Sequence, residues 1–487
     1  MQLTDRDLIS IQEARNLINA AHAAQKQLAV MPQAQIDSIC EAMARAGSEH
    51  AERLAAMACE ETGFGRVEDK IIKNIFASKS LFESVKDLKT VGMIKEDRDN
   101  RLAEVAVPMG VIAALIPSTN PTSTVFYKAI IALKSANAVV FSPHPGARKC
   151  TIDAAKLMAE AAEAAGCPRD AISCIETTTM QATEELMKHE KVALILATGG
   201  SAMVKAAYSS GNPAIGVGPG NSPAYIERTA DIPLAVKRII DSKTFDYGTI
   251  CASEQSVVTE ECIRGEVIAE FKRQGAYFLD EREKKQTASI LMRASGTMNP
   301  AIVGKPPEYI ATLAGITIPY GTKVIIGFET EVGEHVAFSR EKLCPVLAFY
   351  TERDWESACE LCIRILNNEG AGHTLVIHSK DEDVIREFAL KKPVSRILVN
   401  TPSALGAVGG TTNLPPSFTL GCGAVGGSSS SDNIGPLNLI NIRRLAYGVT
   451  ELDEIRASAP ASRKPQAVLD EDKILEAVLR RLLEKMK

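Results

Sequence analysis

The sequence predicts an α/β protein with two Rossmann-like, parallel-sheet domains. Three observations carry this. Short, wholly apolar runs recur, as at 110–116 (GVIAALI) and 193–197 (ALILA), and such runs suit strands buried on both faces. Segments of helical period alternate with them, the rhythm of strand–helix–strand crossovers. The chain has 487 residues, room for two large units or about three smaller ones.

The elements follow in order. Over 8–62 the apolar positions Ile9, Ala14, Leu17, Ile18 and Ala21, then Ile36, Ile39 and Met43, recur at helical spacing, with Pro32 between the two sets. Two or three amphipathic helices fit. Residues 98–107 (RDNRLAEVAV) alternate as a single strand. A buried strand at 110–116, a helix at 125–135, a strand at 138–142, an alanine-rich helix at 151–165 and a short strand at 172–175 come next. The run 193–197 ends at Thr198-Gly199-Gly200-Ser201, and a helical pattern resumes through Val204 and Ala207. Beyond Cys251 the theme repeats: helix 263–274, strands 323–327 and 346–351, helix 354–366, strand 374–378 and helix 381–390. No internal repeat is evident.

Two stretches differ in composition. Residues 406–432 are rich in Gly, Ser, Thr and Pro and taken alone read as a flexible linker. Residues 457–468 (ASAPASRKPQAV) read as a tether. The helix predicted after it, 470–487, aligns Ile474, Leu475, Val478, Leu479, Leu482, Leu483 and Met486 in one apolar stripe. Its acidic residues come first and its basic ones last, which complements the helix dipole.

Composition narrows the function. Hydrophobic residues are 45% and charged residues 24%, ordinary for a globular protein. Aromatics are 5%, with one tryptophan, Trp355, and the net charge is −5. A nucleic-acid footprint is absent from these numbers. Eleven cysteines, an odd and scattered set, fit a reducing compartment better than a disulfide framework. The first residues lack the apolar core of a secretory signal. The longest apolar run, near 107–117, is too short to span a bilayer.

Several residues carry candidate chemistry. Asn120, in Ile116-Pro117-Ser118-Thr119-Asn120-Pro121, follows the buried strand, where its amide can face a developing oxyanion or simply form an Asn-Pro turn. Thr198-Gly199-Gly200-Ser201 is placed to offer free helix N–H groups to a pyrophosphate, or to be a plain turn. The G-x-G-x-G of 216–220 opens no evident helix and is a weak dinucleotide fingerprint. Cys251 follows Gly248 and precedes an expected helix start, a setting that can lower a thiol pKa; a small buried hydrophobe is the alternative. Cys359 and Cys362 share a helix face without a second ligand pair, so no metal site is expected. His373 follows a glycine-rich turn and begins a strand, as a base or as a structural histidine.

The order of seven blocks resembles the aldehyde dehydrogenase superfamily over roughly residues 5–455. They are IPSTNPTSTVFYKAIIALKSANAVVFSPHP (116–145), TGGSAMVKAA (198–207), GVGPGNSPAYI (216–226), FDYGTICASEQSVV (245–258), EKLCPVL (341–347), GAGHT (370–374) and GGTTNLPPSFTLGCG (409–423). They are most similar to the coenzyme A-acylating branch of the ethanolamine- and propanediol-utilisation type, and to the aldehyde half of bifunctional alcohol dehydrogenases. The resemblance implies Cys251 as nucleophile, Asn120 and the Cys251 N–H as oxyanion donors, and His373 as catalytic histidine. It implies cofactor contacts at Pro117, Ser118, Thr119, Ser142, His144, Thr198, Gly199, Gly200, Ser201, Val217, Gly218 and Glu341.

Two departures from the family pattern matter. The block in which hydrolytic members hold a glutamate base reads Val217-Gly218-Pro219-Gly220 here, so coenzyme A rather than water is the implied acyl acceptor. Ser142 replaces the family lysine on the adenosine ribose, so NAD is expected with NADP left open. The activity implied is oxidation of acetaldehyde or propionaldehyde to the acyl-CoA; a hydrolytic aldehyde dehydrogenase is the alternative.

The domain expectations are a cofactor-binding domain at 1–230, with 95–107 contributing oligomerisation strands, and a catalytic domain at 231–432. A return segment at 433–456, including a strand at 439–445, a linker at 457–468 and a helix at 469–487 follow. A dimer or tetramer is implied. The tail resembles encapsulation peptides of bacterial microcompartment cargo, which implies a shell or cargo partner and a place in the bacterial cytoplasm within a microcompartment. No membrane or nucleic-acid partner is expected.

Overall fold

The computed structural model describes residues 4–458 and 471–486. The chain divides into two compact units: Met1–Ile94 with Ala106–Ile442, and Lys95–Val105 with Arg443–Lys487.

The larger unit contains two wholly parallel sheets. In chain order the strands of the protein are β1 (Gly92–Asp97), β2 (Leu102–Pro108), β3 (Val111–Ile116), β4 (Ala138–Pro143), β5 (Ile172–Cys174), β6 (Val192–Thr198), β7 (Ala214–Val217), β8 (Ser222–Ile226), β9 (Glu254–Glu260), β10 (Ala276–Phe278), β11 (Val324–Phe328), β12 (Val346–Glu352), β13 (Gly372–His378), β14 (Val394–Val399) and β15 (Ile440–Ala446). One sheet runs β5-β4-β3-β6-β7 and the other β10-β11-β12-β9-β8-β13-β14. Neighbours within each are parallel, for example Ala113 with Val140 and with Ile195.

Both faces of each sheet are covered, which is why the strands read as unbroken apolar runs. In β3, Ile112, Ala114 and Ile116 pack with the helices Gln33–Glu49 and Pro121–Lys134, whereas Val111, Ala113 and Leu115 pack with Arg6–Leu28. Strand β8 divides likewise: Ala224 and Ile226 join one core, Tyr225 the other. Alternation between two apolar cores erases the polar–apolar signature of a half-exposed strand.

Strand β7 ends at Val217 and β8 begins at Ser222, so only Gly218-Pro219-Gly220-Asn221 joins the two sheets at this point. The change of sheet therefore falls before the division expected at 230.

Several expectations are corrected. The strand expected over 98–107 begins only at Leu102: residues 98–101 turn between β1 and β2, with Arg101 in the left-handed region at φ 53°. The expected helix start after Cys251 is absent: β9 follows, and the helix Ile232–Thr244 precedes it. β9 is buried at every position yet carries Glu, Gln, Ser and Thr, which hid it. The stretch 406–432 is not a free linker: the buried Arg396 guanidinium donates to Gly421 O at 2.6 Å and Ser431 O at 3.3 Å, and its middle contributes Leu420 to a core. Polar, glycine-rich composition here reflects close backbone packing. Three helices occupy the N-terminal region, Arg6–Leu28, Gln33–Glu49 and Ala51–Thr62, with Pro32 as the cap between the first two.

The smaller unit carries residues 95–97 of β1, 102–105 of β2 and 443–446 of β15, strands of one three-stranded sheet in the order β1-β2-β15. Arg444 Nε lies 3.5 Å from Glu104 Oε1 and Arg101 donates to Gly448 O at 3.1 Å. From Asn441 onward β15 is exposed. The helix Glu471–Lys485 carries the expected stripe, all exposed, from Ile474 to Leu483. Residues 459–470, most of the expected linker, lie outside the described residues.

Candidate active site

Strands β3 and β6 are neighbours whose outgoing chains diverge, one into the helix Pro121–Lys134 and the other into Ser201–Tyr208. That divergence opens a crevice at their carboxyl ends, where doubly wound sheets bind ligands. The seven-stranded sheet contributes residues that lead into its strands: Cys251 ahead of β9, Glu341 ahead of β12, and His373 at the start of β13.

Twelve of the fifteen predicted site residues line one cavity of about 250 Å³: Pro117, Ser118, Thr119, Asn120, His144, Thr198, Gly199, Gly200, Val217, Gly218, Cys251 and Glu341. The other three are adjacent. Ser142 lines a second pocket that shares the Thr198-Gly199-Gly200 turn, and its hydroxyl is 2.9 Å from Thr183 Oγ1. Ser201 lines a third, wider groove. His373 is fully buried behind the thiol, with Nε2 3.2 Å from Cys251 Sγ and Nδ1 2.9 Å from Thr374 Oγ1.

The electrostatics hold thiol and imidazole neutral. Burial, with Glu341 and Cys422 nearby, pushes the Cys251 thiol up to about 12, Arg396 acting against this. Burial and the Arg396 charge press the His373 imidazole down to about 3. The helix start expected to lower this thiol is absent, since β9 follows Cys251, and burial instead raises it. Burial and Glu369 raise the Glu341 carboxyl to about 8, although Gly220 N–H donates to its Oε1 at 3.0 Å.

Gly220 is required by contact. A Cβ there would lie 1.9 Å from Cys251 O. Gly220 thus serves the thiol loop and Glu341, Gly216 leaves room for Val204 and Tyr208, and the segment opens no helix, as its sequence indicated.

The turn after β6 fits a dinucleotide. A Cβ on Gly200 would meet open space, the helix Ser201–Tyr208 has no side-chain cap, and Thr198 Oγ1 is buried without a hydrogen-bond partner among the described residues. These are unspent donors and acceptors at a helix start, the arrangement that receives pyrophosphate.

Sequence reasoning missed the polar network under Asn120. Lys70 and Lys73, both buried, reach the fully buried carboxylate of Asp246. Lys70 Nζ also donates to Thr119 O at 2.9 Å. The available signal was a pair of lysines three apart on the helix Val67–Ile75, which places them on one face. Arg396 and Thr374 behind His373 were missed too; nothing local marks an arginine in β14 as buried.

Two parallel-sheet α/β layers enclose one cleft, with a thiol against an imidazole and an open glycine turn, the architecture of an α/β enzyme. The chain belongs to the aldehyde dehydrogenase family, whose model matches residues 4–282. It is 44% identical over 442 residues to the bifunctional aldehyde-alcohol dehydrogenase of Escherichia coli strain K12, covering 90% of this chain and 50% of that protein. The chain thus spans about half the length of several curated relatives it matches. Among solved structures, an acetylating aldehyde dehydrogenase from Geobacillus thermoglucosidasius is 56% identical with a TM-score of 0.91, over 92% of this chain and 99% of that one. A propionaldehyde dehydrogenase from the Clostridium phytofermentans fucose utilisation bacterial microcompartment is 30% identical with a TM-score of 0.80, over 89% and 97%.

Proposed function

We propose that this chain oxidises a short-chain aldehyde, acetaldehyde or propionaldehyde, with NAD and coenzyme A to an acyl-CoA, through a thioester on Cys251. The observation that carries the reading is the 3.2 Å contact between Cys251 Sγ and His373 Nε2 inside the cleft. The 56% identity to a protein described as acetylating supports the choice of acceptor.

The chemistry follows from the residues. Cys251 Sγ attacks the aldehyde carbon while its proton passes to His373 Nε2. The new oxyanion faces the Asn120 amide, whose N–H stabilises charge present only in the adduct. The chemistry supplied there by a bound nicotinamide is hydride acceptance, which turns the adduct into a thioester. Thr198, Gly199, Gly200 and Ser201 would hold its pyrophosphate, Glu341 its nearer ribose, and Ser142 and His144 the far end of the cleft. His373 gives its proton to solvent, the one proton the oxidation releases; the thiol of coenzyme A then displaces Cys251, and its proton passes by way of His373 Nε2 to the departing Cys251 sulfur. Val217-Gly218-Pro219-Gly220 brings no carboxylate to activate water, which leaves a thiol the better acceptor.

A second reading, hydrolysis to the free acid, is favoured by one observation. Glu341 lines the same cavity as Cys251, and its carboxyl is raised to about 8 by burial and Glu369. Product analysis separates the two. Aldehyde and NAD are supplied with and without coenzyme A, and acyl-CoA and free acid are quantified. Acyl-CoA formed only with coenzyme A is expected; free acid at an equal rate without it overturns the first reading.

The exposed stripe on Glu471–Lys485 supports a further part of the proposal, service as microcompartment cargo, as does likeness to an enzyme from such a compartment. Deleting residues 469–487 is expected to leave turnover in solution unchanged and to abolish co-localisation with a shell. A homo-oligomer formed through β1, β2 and β15 belongs to the same reading, on the exposed face of β15.

A further inference from the structure

Lys73 has no part in the chemistry above, yet its ammonium touches Asn120. Its Nζ lies 2.6 Å from Asn120 Oδ1 and 3.1 Å from Thr249 Oγ1, and its third partner is the Asp246 carboxylate. All three ammonium donors are therefore used. On its other side Asn120 Nδ2 donates to Thr249 O at 3.0 Å. A flipped amide would set Nδ2 against an ammonium and Oδ1 against a carbonyl, so both neighbours enforce one orientation. The second Nδ2 hydrogen has only a long contact, 3.3 Å, with Thr119 Oγ1 and is the one left for substrate.

The charge balance points the same way. Lys70 and Lys73 share the carboxylate of Asp246, and the neighbouring Asp69 carboxylate, which accepts the Asp246 N–H at 2.8 Å, is matched by Arg66 at 3.7 Å, so the cluster keeps about one net positive charge beside the amide oxygen. A cation on Oδ1 draws electron density from Nδ2 and strengthens its N–H as a donor, and the gain grows as negative charge develops on the substrate. The arrangement is built against backbone preference. Asp246 and Tyr247 stand in the left-handed region at φ 48° and 50°, and Gly65 leaves the room, since a Cβ there would lie 1.8 Å from Asp246 Oδ1.

We propose that Lys73 is a positioning residue that fixes and polarises the Asn120 amide, strengthening its hydrogen bond to an oxyanion on the carbon bonded to Cys251. This rests on the acyl-transfer reading of the site. The test uses p-nitrophenyl acetate, which acylates a thiol without any cofactor: the sulfur–carbon bond forms, the carbon–oxygen bond breaks, p-nitrophenolate leaves and the thiol proton passes to His373 or solvent. Burst rates are compared for the wild type, Lys73→Met, Asn120→Ala and the double variant. Lys73→Met leaves Lys70 paired with Asp246, a neutral pair, and Lys73→Gln replaces it if folding fails. The expectation is a loss of about tenfold for Lys73→Met and about 10²-fold for Asn120→Ala, with the double variant within about twofold of Asn120→Ala alone. An infrared carbonyl band of the acyl-enzyme that shifts to higher frequency in Lys73→Met is the accompanying signature. Losses that multiply, an unshifted band, or no burst in the wild type overturn the proposal. A normal ester cycle without aldehyde oxidation overturns the dehydrogenase reading alone.

Discussion

His373 Nε2 lies 3.2 Å from Cys251 Sγ, and Nδ1 of the same ring lies 2.9 Å from Thr374 Oγ1. For Nε2 to accept the thiol proton, Nδ1 must carry its hydrogen and donate it to Thr374. That hydroxyl has two lone pairs, and Arg396 Nε, 3.4 Å away, is placed to use the other. Two residues far from one another in sequence thus set one tautomer. His373→Gln is expected to lower the rate of Cys251 acylation by about 10²–10³-fold, the range of a lost acid–base group. Thr374→Val, which keeps shape and removes the acceptor, is expected to cost about tenfold. Stopped-flow acylation rates check both; a His373→Gln rate within twofold of wild type would remove the histidine from the mechanism.

The neutral resting thiol has its own pH signature. Burial, Glu341 and Cys422 hold Cys251 up at about 12, so the thiolate is the minor form throughout the neutral range. Alkylation by iodoacetamide should therefore climb about tenfold per pH unit from pH 7 to 10 without levelling. An ordinary exposed thiol would level near 8.5. Inactivation rates with peptide mapping of Cys251 provide the measurement, and a plateau below pH 8 would show a resting thiolate instead.

The sequence was most readable where periodicity and burial agree. Ile112 to Ile116 and Leu194 to Ala197 are apolar on both faces, so their strands are evident and so are the turns that follow, whereas roles for Asn120 and Gly199 within those turns come only from the family resemblance. Strand β9 was not, because Glu254, Gln255, Ser256 and Thr259 are all buried polar residues, and Glu254, Gln255 and Thr259 are paired through tertiary contacts, as Glu254 is with the Ser403 N–H at 2.9 Å. The site divides in the same way. Cys251, Asn120 and His373 stood out through motif order, whereas Lys73 and Arg396 act across 47 and 22 residues on Asn120 and Thr374, distances in sequence that no local pattern spans.

Gly220 connects the thiol loop with Glu341, and its substitution separates space from chemistry. The Cβ of Gly220→Ala would stand 1.9 Å from Cys251 O, a backbone atom that cannot move aside cheaply. The thiol must then shift from His373, and displacement of about 1 Å from a reactive geometry costs about 10²-fold. A loss of kcat of that order with the melting temperature lowered by a few degrees is the expected outcome. Unchanged kcat would mean that the 218–221 crossover relaxes without moving Cys251.

Asp246 makes the acid side of the stability curve readable. Burial pushes its carboxyl up, but the ammonium groups of Lys73 and Lys70 outweigh this and hold it below the usual carboxylate range. A carboxyl depressed in the folded state adds stability that is full above its unfolded pKa, about 3.9, and is lost as pH falls through the folded value. Asp246→Asn removes the anion and leaves two buried lysines without it, a loss of about 3–5 kcal/mol for a broken buried pair. At pH 7 the variant should therefore unfold at markedly lower urea than the wild type. Below about pH 4 the unfolded chain takes up a proton on this carboxyl while the folded one stays ionised, so the wild type's advantage shrinks and the gap should narrow toward pH 3. Urea midpoints for both proteins at pH 7, 5 and 3 decide the matter. A gap at pH 3 equal to that at pH 7 would mean that Asp246 contributes through shape and hydrogen bonds to Arg66 N and Thr249, and not through its charge.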